Sequence, residues 1–120
     1  MQTGHHKVAK ASGGRSHFAE ITVAIHESEE TRINIEADIQ SNEWKEAILF
    51  GIGYAIANTR GDFPNLSITV KEFIGVISDT SHDSVSYAAI YATWDALNDP
   101  GTNHPQWNGG KVIFPKGSNT

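Results

Sequence analysis

Hydrophobic and polar residues alternate along two early stretches of the chain. Between residues 18 and 25 most apolar residues recur at every second position, and the same alternation returns over residues 33–37. A period of two with many β-branched residues is typical of a strand that buries one face. Since the charged connection at residues 27–31 is short, we predict that the two strands form an antiparallel hairpin.

Two later segments carry apolar residues at helical spacing. The first runs over residues 42–58, where Ser41 can cap the first turn and Gly51 and Gly53 lie inside the helix. Because each internal glycine costs up to about 1 kcal/mol relative to alanine, we expect close packing at this point, against the sheet. A second helix follows the polar turn at residues 79–84, and its narrow face carries only small residues: Val85, Ala88, Ala89, Ala92 and Ala96.

The remaining segments complete one domain over residues 1–120. A third strand begins at Leu66, and its alternation slips near Glu72, which predicts a β-bulge. We expect residues 1–14 to form an extended arm, residues 17–98 the core, and residues 99–120 a tail with a short strand near Val112. The order β-β-α-β-α predicts an α+β fold, in which about four antiparallel or mixed strands carry two helices on one face.

Composition narrows the class of protein. The 120 residues include no cysteine, which excludes disulfides and thiolate metal sites, and the formal net charge is −5. A negative balance disfavours non-specific binding to nucleic acid or to anionic membranes, although it permits a local basic patch. No apolar run has the length of a membrane helix, and the segment after Met1 lacks an apolar signal core. We therefore expect a small protein in the cytoplasm that does not contact a membrane.

Several chemistries have no support in the spacing of residues. There is no phosphate-binding GxxxxGK[ST] loop, so we expect no nucleotide, and the six histidines show no metal-ligand spacing, so we expect no metal or other cofactor. The run from Ser81 through His82 and Asp83 to Ser84 contains hydrolase residue types. Neighbouring residues rarely converge as a triad, however, and the run fits a helix cap better. We therefore expect no enzyme activity, and a small hydrolase is the weakest of our hypotheses.

The loop before the first predicted strand contains residues suited to binding a ligand. Gly13 and Gly14 free the backbone for close approach, Arg15 can grip a phosphate, His17 can donate a hydrogen bond, and Phe18 presents a ring for stacking. Ser16 completes the segment. These residue types together are suited to an RNA contact, while the same composition also fits a flexible entry to a strand.

Four motifs, in order over residues 8–98, resemble domain IV of translation elongation factor G. Residues 8–18, VAKASGGRSHF, are similar to the family opening K-Q-S-G-G-R/S-G-Q-Y-G, and residues 43–56 are similar to the family helix that begins E-Y and continues A-V-x-x-G-I. Phe63-Pro64 stands where the family has Tyr-Pro. Residues 83–96 look like the family segment D-S-S-E-x-A-F-x-x-A-A. The chain departs from the family at Ser16 and Ala19, where the family has glycine.

This resemblance implies a fold, a function and a set of site residues. In the family the domain is a sheet with two helices and a left-handed βαβ crossover, and two loops at its tip contact the tRNA–mRNA region of the ribosome. The first loop matches residues 13–18, and the second matches Ser81, His82 and Asp83. The leading hypothesis is a non-catalytic, stand-alone relative that binds the ribosome or structured RNA through these loops.

The alternative hypothesis is a protein-interaction module of the same fold that has lost RNA binding. Its partner would be another protein or a second copy of the chain. The negative net charge and three aromatic residues of the second helix favour it: Tyr87, Tyr91 and Trp94.

Overall fold

A computed structural model describes residues 2–115. Its elements are, in order, β1 (Gln2–Ser12), β2 (Arg15–Glu27), β3 (Arg32–Ile35), α1 (Asn42–Ala57), β4 (Leu66–Ile74), α2 (His82–Leu97), β5 (Gln106–Asn108) and β6 (Lys111–Ile113). Four strands form a mixed sheet in the order β1-β2-β4-β3, and β5 and β6 form a separate hairpin. The predicted α+β architecture of about four strands and two helices is confirmed.

The predicted hairpin between the first two alternating stretches is wrong. These stretches correspond to β2 and β3, and β4 lies between them. β2 pairs antiparallel with both β1 and β4, whereas β3 pairs in parallel with β4. The chain therefore passes from β3 through α1 to a parallel neighbour, which is a βαβ crossover of the kind that the resemblance implies. The hand of this crossover stays a prediction.

The segment predicted as an arm is instead an edge strand. β1 pairs with β2 along its whole length, from Gln2 opposite Ile25 to Ser12 opposite Arg15. Gly4 allows this strand to approach α2, because a side-chain carbon at Gly4 would overlap the backbone of Ala92 and Ala96. Met1 of the predicted arm and residues 116–120 of the predicted tail lie outside the described residues.

The first helix begins at Asn42, as the sequence predicts, whereas the second begins at His82, inside the segment predicted as a polar turn. Ser41 caps α1 by accepting a hydrogen bond from the Trp44 amide, and Ser81 caps α2 in a capping box with Ser84. In the described part of the chain, neither helix is long and apolar enough to cross a membrane. The bulge predicted near Glu72 is also confirmed, since the register of β4 against β2 shifts between the partners of Thr22 and Val23.

Close packing at Gly51 involves the other helix rather than the sheet. A side-chain carbon at Gly51 would lie 2.7 Å from the Ser86 carbonyl oxygen and 2.8 Å from the Ala89 Cβ, whereas one at Gly53 would meet open space. The helices run parallel, and the Ser86 hydroxyl donates to the Ala47 carbonyl at 3.1 Å. Both N-termini consequently lie at the same end of the molecule as the β1–β2 turn.

Candidate nucleic-acid interface

The β1–β2 turn is a two-residue connection built from Gly13 and Gly14. Their φ angles are +63° and +79°, a region that glycine enters without steric cost. Ser12 pairs with Arg15 directly across the turn. A side-chain carbon at Gly13 would overlap the backbone of Gly110, so this turn packs against the turn between β5 and β6. The glycine loop is therefore a tight, supported turn rather than a flexible entry.

The second predicted loop meets the first strand at Phe18. The Phe18 amide donates to the Asp79 carbonyl at 2.9 Å, and the Phe18 carbonyl accepts from the Thr80 hydroxyl at 2.8 Å and from the Ser84 hydroxyl at 3.1 Å. Two segments about sixty residues apart are thus joined at one end of the sheet. Arg15 lies three residues before Phe18, at the start of β2, which is about 10 Å away at the usual strand rise.

A third turn, which the sequence analysis missed, completes this end. β5 and β6 are joined through Gly109 and Gly110, and the Asp83 carboxylate accepts a hydrogen bond from the Val112 amide at 2.9 Å. We call the three turns together the tip: residues 12–18, 79–84 and 108–112. The Asn-Gly-Gly sequence at residues 108–110 is a hairpin signal that could have revealed this turn.

Four exposed cations surround the tip. They are Lys7, Lys10, Arg15 and Lys111, and only Arg15 was predicted. Within residues 2–115, none of them forms a salt bridge with a carboxylate. Two of them lie over rings: the Lys7 Nζ is 5.9 Å from the Phe18 ring centroid, and the Lys10 Nζ is 5.2 Å from that of Trp107. These cation–π contacts restrict the positions of the two ammonium groups.

His17 does not present its ring to solvent, contrary to prediction. Only 4% of the residue is exposed, and its ring packs 4.5 Å from Trp107, centroid to centroid. The reason is strand alternation: His17, Ala19 and Ile21 all lie on the face of β2 that meets the helices. Phe18 lies on the opposite face and is half-buried, while Gly13, Gly14, Arg15 and Ser16 are exposed.

The second-loop residues have structural roles. Ser81 caps α2 and Asp83 holds the β6 backbone, as described above, so the capping interpretation is confirmed. His82 begins α2, but its ring lies 5.8 Å from that of Phe50 on α1, and its Nδ1 is 3.4 Å from the Ser86 hydroxyl. Neither contact is a carboxylate, and within residues 2–115 no hydrogen bond or salt bridge joins His82 to one.

The aromatic surface that favoured a protein-interaction module lies largely inside the molecule. Trp94 is 2% exposed and donates from its Nε1 to the Ala55 carbonyl at 2.9 Å. Tyr87 and Tyr91 are half-buried, and the His6 ring packs against both at 5.8 and 5.3 Å. Trp94 is therefore unavailable to a partner in this structure.

Burial shifts the ionisation of groups beside this aromatic layer. It lowers the pKa of His6, helped by the charge of neighbouring His5, and it raises the pKa of Tyr91. The lowered pKa favours the neutral form of the His6 ring that packs against the two tyrosine rings. Among the residues that the structure describes, no group of three or more potential ligands could hold a metal ion.

The fold and the tip define the class: a small α+β domain with a mixed four-stranded sheet and a cationic end made of three turns. A crystal structure of a protein from Thermus thermophilus shares this fold with a TM-score of 0.65 and 21% sequence identity. The match covers 77% of the present chain but only 15% of the Thermus chain. No protein-family profile and no curated protein matches the chain.

Proposed function

We propose that the chain binds structured RNA, with tRNA and ribosomal RNA as the first candidates, through the tip, and that it catalyses no reaction. The observation that carries this proposal is the junction at Phe18. It brings the glycine turn and the segment before α2 to one end of the sheet, where Arg15 and three lysines surround them. The elongation factor G resemblance assigns the corresponding two loops to one RNA-contacting tip.

The tip offers groups suited to a phosphate backbone. The glycine turn lacks side chains that would keep a phosphate away from its amides, and Arg15 beside it can bind two phosphate oxygens at once. Lys10 and Lys111 provide further charge nearby. These contacts would recognise backbone and shape rather than sequence, because most of the tip's remaining polar side chains hold the fold together.

The fold comparison is compatible with this assignment. The match occupies a small fraction of the longer Thermus chain, as a domain of a multidomain protein would. At 21% identity it supports the architecture alone, so the RNA proposal depends on the tip residues and on the resemblance.

A salt titration with charge-matched variants tests the proposal. Binding of a fluorescently labelled tRNA, and separately of purified ribosomes, is measured by anisotropy or co-sedimentation between about 50 and 200 mM salt. If three phosphates are contacted, affinity should fall about 40-fold over this range through counterion release. Replacing the three tip cations, K10A/R15A/K111A, should remove most of the binding at the lowest salt concentration and flatten its salt dependence.

The control variant, R32A/K45A/K71A, changes the net charge equally but alters three cations outside the tip. It should bind like the wild type, apart from a small general loss. Equal weakening by both variants would reduce the effect to net charge and refute a tip site. Absence of wild-type binding at the lowest salt concentration would remove the proposal altogether.

A further inference from the structure

A second surface lies on the opposite edge of the sheet from β1, where β4 extends beyond its neighbour. β3 ends at Ile35 opposite Val70, and the next two amides, of Glu36 and Ala37, both donate to the Val70 carbonyl. β4 continues to Ile74. Within residues 2–115, no strand pairs with the final four residues of β4 on this side, so a short length of sheet edge stays open.

A groove begins on the face of the sheet that is turned away from the helices, beside His5, Glu20 and Thr22, and crosses the open end of β4 toward the N-terminus of α1. Its first part encloses about 360 Å³ beside Asp38, Glu72 and Ile74, and its second part, of about 320 Å³, adds Trp44 and Ile77. We call the two parts the edge groove.

The edge groove exposes apolar side chains. Ile77 is 92% exposed and Ile74 is 52% exposed, and Trp44 packs on Phe73 with ring centroids 5.6 Å apart. Gly75 allows the Trp44 ring to lie against the backbone, because a side-chain carbon there would be 2.7 Å from it. Apolar groups therefore lie on both sides of the open strand edge, as a bound strand with alternating side chains requires.

The charges around the edge groove are mostly negative. Asp38 and Glu72 line its first part, and Glu43 lies at the far end. The two basic residues that line it are already paired: the Lys71 Nζ lies 2.6 Å from the Glu36 carboxylate, and the His5 Nε2 lies 2.7 Å from the Glu20 carboxylate. An occupant with positive charge would meet free carboxylates, whereas a second acidic surface would be repelled.

We propose that the edge groove binds an extended basic segment of a partner protein, which adds as a strand to the open end of β4. Main-chain hydrogen bonds to the edge would supply affinity, and alternating apolar and Lys or Arg side chains would match the apolar walls and the carboxylates. The site uses none of the tip cations, so it is independent of the RNA proposal.

The test uses the full chain and a defined probe. A ten-residue peptide of alternating Val and Lys is titrated into the ¹⁵N-labelled protein, and amide shifts are followed by NMR. Saturable shifts at residues 71–77 are expected. A Val–Glu peptide, and a Val–Lys peptide with a central proline that blocks strand pairing, should each bind at least tenfold more weakly.

Variants separate the edge groove from general charge attraction. D38K/E72K should lose at least tenfold in affinity for the Val–Lys peptide and gain affinity for the Val–Glu peptide, while E29K/E30K, the same charge change in an exposed loop, should behave as the wild type. Ile77→Ser should also weaken binding, and because Ile77 is 92% exposed the substitution should leave stability nearly unchanged. Shifts elsewhere, or equal losses in both charge variants, would overturn the proposal. So would a concentration-dependent dimer, seen by light scattering, that D38K/E72K abolishes, since the occupant would then be a second copy.

Discussion

Separate alanine substitutions at Gly51 and Gly53 test which surface of α1 packs against a neighbour. Both glycines lie in the interior of the same helix, so each substitution gains up to about 1 kcal/mol in helix propensity. At Gly53 nothing opposes this gain, because the new methyl group meets open space. We therefore expect Gly53→Ala to stabilise the protein by about 0.5–1 kcal/mol.

At Gly51 the same methyl group meets α2. The methyl carbon would lie 2.7 Å from the Ser86 carbonyl oxygen and 2.8 Å from the Ala89 Cβ, and both distances are too short for van der Waals contact. The helices must therefore separate by roughly 1 Å. Such over-packing costs about 1–3 kcal/mol. Separation also strains the hydrogen bonds from Ser86 to Ala47 and from Trp94 to Ala55, each of which contributes about 1 kcal/mol. After the propensity gain, the net loss is roughly 1–3 kcal/mol.

The assay is equilibrium unfolding of both variants in urea and by heat. Their urea midpoints should move in opposite directions from the wild type with unchanged slopes, and their melting temperatures should differ by roughly 10 °C for a domain of this size. If Gly51→Ala proved as stable as Gly53→Ala, the helices would not cross at Gly51 and the packing argument would fail.

Two further predictions concern pH. Burial tends to raise the pKa of Asp99. Hydrogen bonds from the Arg60, Gly61 and Gly101 amides, together with the Arg60 charge, outweigh burial and lower this pKa. The stability that Asp99 contributes is therefore present above its unfolded pKa and is lost as pH falls through its folded pKa. Urea unfolding should show that Asp99→Ala costs about 1 kcal/mol at pH 7, a small loss because solvent screens this carboxylate, and less at about pH 3; an equal cost at both pH values would contradict this origin. Because the pKa of His6 is lowered in the fold, protonation on acidification favours the unfolded chain. The variant His6→Phe, which keeps an aromatic ring, should therefore lose less stability than the wild type between about pH 7.5 and 5. Parallel losses of stability in the two proteins would contradict a lowered pKa at His6.

Elements with local signals could be predicted from the sequence, and those with non-local pairing could not. Ser41 and Ser81 cap their helices through residues within three positions, so a short window contains the whole signal. β3 pairs in parallel with β4, more than thirty residues away, although the short connection favours antiparallel pairing with β2. This pairing depends on the tertiary structure and has no local signal. β1 lacks an apolar pattern because Val8 is its only strongly apolar core residue, and the close approach of α2 occurs at Gly4.

The candidate site divides in the same way. The glycine turn and Arg15 could be identified from composition, whereas Lys7, Lys10 and Lys111 join them only through strand pairing and through the third turn. His17 is different, since the signal was present: extending the period-two pattern of Ala19 and Ile21 back by two residues places position 17 on the buried face. The chemistry of a histidine suggests a solvent-facing ring, but the alternation of the strand decides that this ring is buried.

The net charge of −5 and the proposed RNA tip are compatible because the charges are unevenly placed. Glu27, Glu29 and Glu30 lie where β2 ends, at the opposite end of the molecule from the glycine turn. At physiological ionic strength the screening length is about 8 Å, and the molecule is 43 Å along its longest axis. An RNA phosphate at the tip would therefore sense Arg15 and the nearby lysines, partly offset by Asp79 and Asp83 in the tip itself, far more strongly than the distant carboxylates. The carboxylates at the opposite end of the molecule would repel RNA that approaches from that side. They therefore favour one orientation of binding and do not oppose binding at the tip.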